Sequence, residues 1–177
     1  MPRTSCLRGV TLVEMAVVMA LAAIVVGLAA PGLRDTMDLR RLDGAATRLA
    51  TDLQLVRTEA VARNQPVRIS FHALPGANCW VVHTGLAAQC DCSGDGPATC
   101  RGDARQIKTV RLPADERVGL QANMGSIVFD PLHGTGTPTG TLRLTGRDGR
   151  AIHHVVNVMG RVRSCSPAGA VPGYRAC

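Results

Sequence analysis

Residues 8–33 read RGVTLVEMAVVMALAAIVVGLAAPGL. From Val10 to Leu33 there are 24 residues, and Glu14 is the only charged one. At about 1.5 Å per residue this makes about 36 Å of helix, enough to cross a bilayer core of about 30 Å. A carboxylate inside such a segment costs about 2.5 kcal/mol or more unless it is paired, which makes Glu14 a functional candidate. A short basic leader precedes it, with Arg3, Arg8 and then Gly9. A secretory signal peptide has an apolar run of about 7–15 residues and a small-residue cut site. This run is longer and leads straight into more helical sequence. An ordinary signal anchor fits the length but leaves Glu14 without a role.

Beyond Pro31-Gly32, where proline should kink or loosen the helix, the pattern continues. Leu39, Leu42, Ala46, Leu49, Leu53, Val56 and Ala60 recur at alternating spacings of three and four, which is one apolar helical stripe. Arg40, Arg41, Asp43, Arg48, Asp52 and Arg57 lie off it. The stripe is short and contains two alanines, so a helix docked on a sheet is expected rather than a coiled coil. The helix should end near Asn64, because Pro66 disfavours helix at Gln65.

From Pro66 the sequence turns to strands. Residues 67–71, 79–83, 107–112, 118–122, 126–129, 140–144 and 151–158 are β-rich or alternate apolar with polar. Arg147-Asp148-Gly149-Arg150 reads as a hairpin turn centred on Asp-Gly. About seven strands with short turns imply an α+β fold, with a long N-terminal α-helix packed against an antiparallel β-sheet head. The expected organisation is a leader over 1–9, a membrane helix over 10–33, its amphipathic continuation over 34–64, and a β-rich head over 65–177.

Gly9-Val10-Thr11-Leu12-Val13-Glu14 resembles the type III signal of type IV pilins and pseudopilins. The resemblance implies that a prepilin peptidase cuts between Gly9 and Val10 and methylates the new N-terminus. Val10 stands where the family usually begins with Phe. Glu14 then falls at the family's glutamate, and Pro31 at the proline many members carry. In a filament of packed helices, the nearest cation for Glu14 is the N-terminal amine of a neighbouring subunit, and such a pair would fix axial register. The head extends the resemblance. Phe129-Asp130-Pro131 with Gly134, and Gly160-Arg161-Val162-Arg163 near the end, resemble the GspH/FimT group. That group comprises the H-type minor pseudopilins of type II secretion and the FimT and FimU minor pilins of type IV pili. It implies other pilins or pseudopilins as partners, an inner-membrane single pass with a periplasmic head, and assembly into a filament, which makes the membrane helix over 10–33 a filament-core helix too.

The chain has seven cysteines. Cys6 lies in the leader, and its removal leaves Cys79, Cys90, Cys92, Cys100, Cys165 and Cys177, an even number suited to disulfides in an exported head. Six cysteines allow 15 connectivities. Local closure favours Cys165 with Cys177 and pairs within residues 79–100. A zinc site from the first four cysteines is disfavoured by the spacing of Cys90-Asp91-Cys92.

The net charge of +7 is concentrated at the C-terminal end. Residues 34–100 balance, whereas residues 101–177 carry eleven basic and five acidic side chains. Arg143, Arg147, Arg150, Arg161, Arg163 and Arg175 are opposed only by Asp148. This is the electrostatic footprint of a polyanion partner, and the Arg fork suits phosphate. Phe129 and Tyr174 are the only aromatics beyond residue 100, so binding would rest on phosphate contacts to double-stranded DNA without sequence readout. By resemblance, Gly160-Arg161-Val162-Arg163 matches the Gly-Arg-x-Arg motif with which FimT-type pilins contact DNA. Arg161 and Arg163 would share one face of an extended segment. Arg147 and Arg150 could extend the patch, with Lys108, Arg143 and Arg175 as lesser candidates. No nucleophile, nucleotide or cofactor motif appears, and His153-His154 would point to opposite faces of a strand, so neither an enzyme nor a cofactor is expected. The expected function is that of a minor type IV pilin binding extracellular DNA for uptake. The alternative is a structural minor pseudopilin of type II secretion, or a pilus-priming minor pilin.

Overall fold

The computed structural model describes residues 10–92 and 96–177. One helix, α1 (Leu12–Arg63), precedes the β-rich part, and chain contacts divide the protein into two units between Met37 and Asp38. The cleavage junction at Gly9 lies outside the described residues.

The first unit is the N-terminal part of α1. Thr11 caps it: the Glu14 N–H donates to Thr11 Oγ1 at 3.2 Å. Thr11-Leu12-Val13-Glu14 therefore has the sequence of a capping box, which also places an acid where the helix dipole favours one. The large apolar side chains that follow, Leu12, Val18, Ile24 and Leu28 among them, are exposed. The helix is long and apolar enough to cross a membrane. The helical assignment continues through Pro31 and Gly32.

The second unit begins at Asp38 and has its own core. Leu42, Ala46, Leu49, Leu53, Val56 and Ala60 are all 0–1% exposed, with Leu39 packed at the margin. The stripe read from spacing is thus the buried face of the helix. Termination is local: Asn64 adopts φ 50°, its N–H bonds to the Val61 carbonyl, and the Gln65 N–H bonds to the Ala60 carbonyl. That is a Schellman motif, and Pro66 follows it.

Twelve strands follow among the described residues. They are β1 (Val67–Leu74), β2 (Ala77–Thr84), β3 (Cys90–Asp91), β4 (Thr99–Cys100), β5 (Gln106–Pro113), β6 (Val118–Ala122), β7 (Ser126–Phe129), β8 (Gly136–Thr137), β9 (Gly140–Gly146), β10 (Ala151–Val156), β11 (Val162–Ser166) and β12 (Arg175–Ala176). They form not one sheet but two of five strands, ordered β5-β2-β1-β7-β8 and β12-β11-β10-β9-β6, plus the small β3-β4 pair. Pairing is antiparallel except between β11 and β12, which is parallel. The extra strands have a simple explanation. Two-residue strands are too short to alternate, and β11 carries one large aliphatic, Val162, so its period is invisible in sequence. The strand read over 151–158 stops at Val156, where residues 157–160 turn.

Both sheets contribute to one core around α1. Ile69, Trp80, Val82 and Phe129 come from the first, and Leu142, Leu144, Ile152 and Val156 from the second. Fully burying each such side chain contributes roughly 1.5–3 kcal/mol. Side chains from 90–92 and 98–104 pack on the outer face of the first sheet. There Cys79 pairs with Cys92 and Cys90 with Cys100, packed with Val81 and Ala104. Cys165 pairs with Cys177. All four thiols of the hypothetical zinc set are thereby used.

Burial extends beyond the stripe at one charged residue. Asp52, which lies off the apolar stripe, is 0% exposed. It accepts the Trp80 Nε1–H at 2.8 Å and pairs with Lys108 Nζ at 2.5 Å. A helix wedged against a sheet buries more than a narrow stripe, and the carboxylate at its margin found partners on β2 and β5. Removing one member of such a set leaves the others unpaired. Asp52→Ala should therefore destabilise the head by about 3 kcal/mol, whereas exposed Thr51→Ala should change stability by less than about 0.5 kcal/mol. Trp80, the sole tryptophan, reports the transition by fluorescence during denaturant unfolding. Equal midpoints for the two variants would contradict this role.

Candidate functional site

The charged residues singled out in the sequence sort onto different surfaces. In the second sheet, register pairs His154 with Ser164 and Leu142, and Val156 with Val162. Those side chains take the core side. The alternate set lies on the outer face: Arg143 pairs with His153, His153 with Cys165, and Cys165 with Arg175. Arg163 pairs with Val155 on the same face. Arg143, Arg163 and Arg175 are exposed and form no ion pair among the described residues. Strand geometry therefore gathers three arginines, two of them the lesser candidates of the sequence reading.

His153 sits between them. Arg143 Nε donates to His153 Nε2 at 3.0 Å, so that nitrogen is a lone-pair acceptor and Nδ1 carries the proton. Nδ1 faces the Cys177 sulfur at 3.8 Å. Burial, helped by the Arg143 charge, holds the imidazole below its ordinary range. The Cys165–Cys177 bond lies on this same face and ties β12 beside β11.

Arg161 precedes β11. Its N–H donates to Asn157 Oδ1 at 2.9 Å, and its side chain is exposed. Arg147 and Arg150 are elsewhere. They occupy the β9–β10 turn, whereas Val156, paired with both Gly140 and Val162, marks the other end of those strands. Six residues at about 3.3 Å separate the ends by about 20 Å. The hairpin turn therefore does not extend an Arg161–Arg163 patch. Within that turn, Arg150 is paired with Asp148 through its backbone N–H at 3.0 Å and through Nε. Lys108 is on the first sheet, its ammonium engaged by Asp52.

Gly160 has a structural reason to be glycine. It adopts φ +69°, and a Cβ there would fall 2.5 Å from the Gly134 carbonyl oxygen and 3.2 Å from the Phe129 ring. Phe129, Gly134 and Gly160 thus form one packing unit. Asp130 orders the adjoining turn: its carboxylate accepts the N–H groups of Leu132 at 3.1 Å and His133 at 2.8 Å. These bonds, the His133 N–H foremost, hold the carboxyl below its ordinary value.

Two buried histidines are neutral clamps. His154 Nε2–H donates to the Ala46 carbonyl of α1 at 2.9 Å, and Ser164 Oγ–H donates to Nδ1 at 2.8 Å. His83 Nδ1–H donates to the Thr84 carbonyl at 2.9 Å, and Nε2 accepts from Ser70 Oγ at 2.9 Å. The Ser70–His83 pair resembles half of a catalytic dyad, but both residues are sealed in the core. His72, Asp91 and Cys92 cluster as metal-type ligands do, yet the Cys92 sulfur is in a disulfide.

With this geometry in view, comparison with known proteins is decisive. The family model described as Type II transport protein GspH matches residues 45–160. The chain belongs to the GspH family. It is also 31% identical over 159 residues to a Type II secretion system protein H from Xanthomonas campestris pv. campestris, covering 89% of this chain and 83% of that protein. No solved structure matches it. Membership explains the architecture. A GspH pseudopilin associates with other pseudopilins in a filament, and its exposed apolar helix fits a membrane-anchored subunit. The family match begins at residue 45, inside the helix stripe, includes Ala46 to Ala60, the Phe129–Gly134 segment and Gly160, and stops short of Arg161.

Burial is the first cause holding both His83 and His154 below the ordinary histidine value. Protonation therefore favours the unfolded chain, whose histidines titrate near 6.5. The stability these clamps contribute is complete above about pH 6.5 and is lost as pH falls below it toward their folded values. The denaturant midpoint of the pseudopilin should drop between pH 7.5 and 5.5. His154→Gln should be less stable at pH 7.5 and show a shallower pH dependence. A flat profile in the native chain would contradict the neutral assignment.

Proposed function

We propose that this chain is a minor pseudopilin of a type II secretion system, cut after Gly9 by a prepilin peptidase, held in the inner membrane with its head in the periplasm, and then built into the pseudopilus. The observation that carries the reading is the division of α1. One face of its 42–60 stretch is buried by the chain's own sheets, while the large apolar side chains from Leu12 to Leu28 are exposed and are left to lipid or to the helices of other subunits. In that packing Glu14 is the register group, paired with the N-terminal amine of a neighbour. Among the described residues its carboxylate forms no ion pair, which leaves it available.

The experiment is isolation of sheared pseudopili from cells carrying either the native chain or Glu14→Ala. The native subunit should co-sediment with the other pseudopilins and begin at Val10 by intact mass. Glu14→Ala should insert in the membrane normally, since a costly charge is gone, and be depleted from the filament. Normal incorporation of Glu14→Ala, or a mature N-terminus elsewhere, would contradict this.

A second reading, DNA binding in support of uptake, is favoured by one observation. Arg143, Arg163 and Arg175 share an outer face without an acid partner among the described residues, and exposed Arg161 lies just before β11. Four phosphate contacts would give a log–log salt slope of about −3.6, at roughly −0.9 per contact. Arg163→Gln with Arg175→Gln should make it shallower by about 2. A mobility-shift titration of the full-length chain in detergent checks this. If no salt-dependent binding occurs, the face is solvated surface and the pseudopilin role stands alone.

A further inference from the structure

Two turns project from the head side by side. Asp130 fixes the first through its two carboxylate hydrogen bonds, and Gly134 closes it with an N–H bond to the Asp130 carbonyl at 2.9 Å. Asn157 fixes the second: its side chain accepts the Arg161 N–H, and its carbonyl accepts the Gly160 N–H at 2.9 Å. The two are joined by the Gly136 N–H bond to the Val158 carbonyl at 3.0 Å and by the close approach of Gly160 to Gly134.

These ordered turns carry large apolar side chains into solvent. Leu132 is 78% exposed, Met159 57% and Val158 55%. Single exposed aliphatics are ordinary, but several on one interlocked scaffold mark an interaction site. A scaffold fixed in advance also spares the ordering cost of binding. The flanking charge is positive. Arg161 adjoins the second turn, and the Arg57 guanidinium lies over Gly134. Neither forms an ion pair among the described residues. The Asp130 carboxylate, in the first turn, is engaged by that turn's own N–H groups.

We propose that Leu132, Val158 and Met159 form an apolar knob that docks into a carboxylate-rimmed recess on a different pseudopilin subunit. This rests on the pseudopilin reading above and names a surface for it. A second copy of this chain is a poor occupant, because residues 101–177 carry eleven basic and five acidic groups and would meet like charge. DNA is a poor occupant of the knob because three aliphatic side chains offer it neither charge nor a stacking face.

The test places photoreactive benzoylphenylalanine at Leu132, at Met159, or at Arg147 in the distant hairpin turn. Each full-length variant is expressed in the native host with its secretion system. The Leu132 and Met159 probes should yield an adduct identified by mass spectrometry as another pseudopilin, cross-linked close to its Asp or Glu residues, with no such adduct from Arg147. Leu132→Asp with Met159→Asp should then reduce co-isolation of that subunit at least about tenfold, the scale of one lost interface anchor, while the level of oxidised chain stays unchanged. Arg161→Glu should weaken it in the same direction. Adducts with lipid alone, equal cross-linking from Arg147, or undiminished co-isolation of the double variant would overturn the knob while leaving the pseudopilin reading intact. If the native chain co-isolates with no pseudopilin at all, that reading fails and the knob with it.

Discussion

The structure depends on how one face of α1 between Leu42 and Ala60 is buried. Two five-stranded sheets close over it, and the inner residues of both meet there rather than in separate cores. The alanines at 45, 46 and 60 are as important as the leucines, since a larger side chain at such a packed contact would have to displace its neighbours. Take this face away and each sheet would expose an apolar surface with nothing to cover it. The helix is therefore core and carrier together, since the same continuous element supplies the exposed apolar stretch toward the N-terminus.

Apolar burial is non-directional, so polar contacts set the rotation of the helix against the sheets. Three do so, each to a different part of the head. Asp52 reaches Trp80 and Lys108 in the first sheet. The Ala46 carbonyl receives His154 from the second. Asp43 receives the Tyr174 hydroxyl at 2.8 Å from the C-terminal loop, and burial together with that carboxylate raises the phenol above its ordinary value. Helical position orders these contacts along the chain, so the C-terminal loop, the second sheet and the first sheet engage successive turns.

Much of this was legible beforehand, for identifiable reasons. The long helix, its buried stripe and its end near Asn64 follow from period and from proline sterics, which act within a few residues. The strands of seven central segments follow from alternation. What stayed hidden depends on distant partners. Asp52 lies off the stripe by spacing, and only Trp80 and Lys108, remote in sequence, make its burial tolerable. The division into two sheets is a matter of pairing, to which a single strand's pattern is blind. The arginines illustrate the same limit. Arg161 and Arg163 stood out as a motif, but Arg143 and Arg175 join Arg163 through cross-strand register, and Arg147 with Arg150 falls at the far end. Gly160, read as part of a binding motif, is explained by its positive φ and its contact with Gly134. The cap at Thr11 is local as well: Thr11-Leu12-Val13-Glu14 has capping-box spacing, inside the segment that also carries the leader resemblance.

Family membership and the divided helix lead to the same view, that of a head carried on an apolar helix and working as one subunit among others. The arginine face and the apolar knob then distinguish what this head offers to its surroundings. The most direct measurement of the central claim is secretion by a strain lacking only this gene. The account predicts that proteins normally released into the medium accumulate in the periplasm and that the full-length gene restores their release. Unchanged secretion, with loss instead of transformation by extracellular DNA, would contradict it.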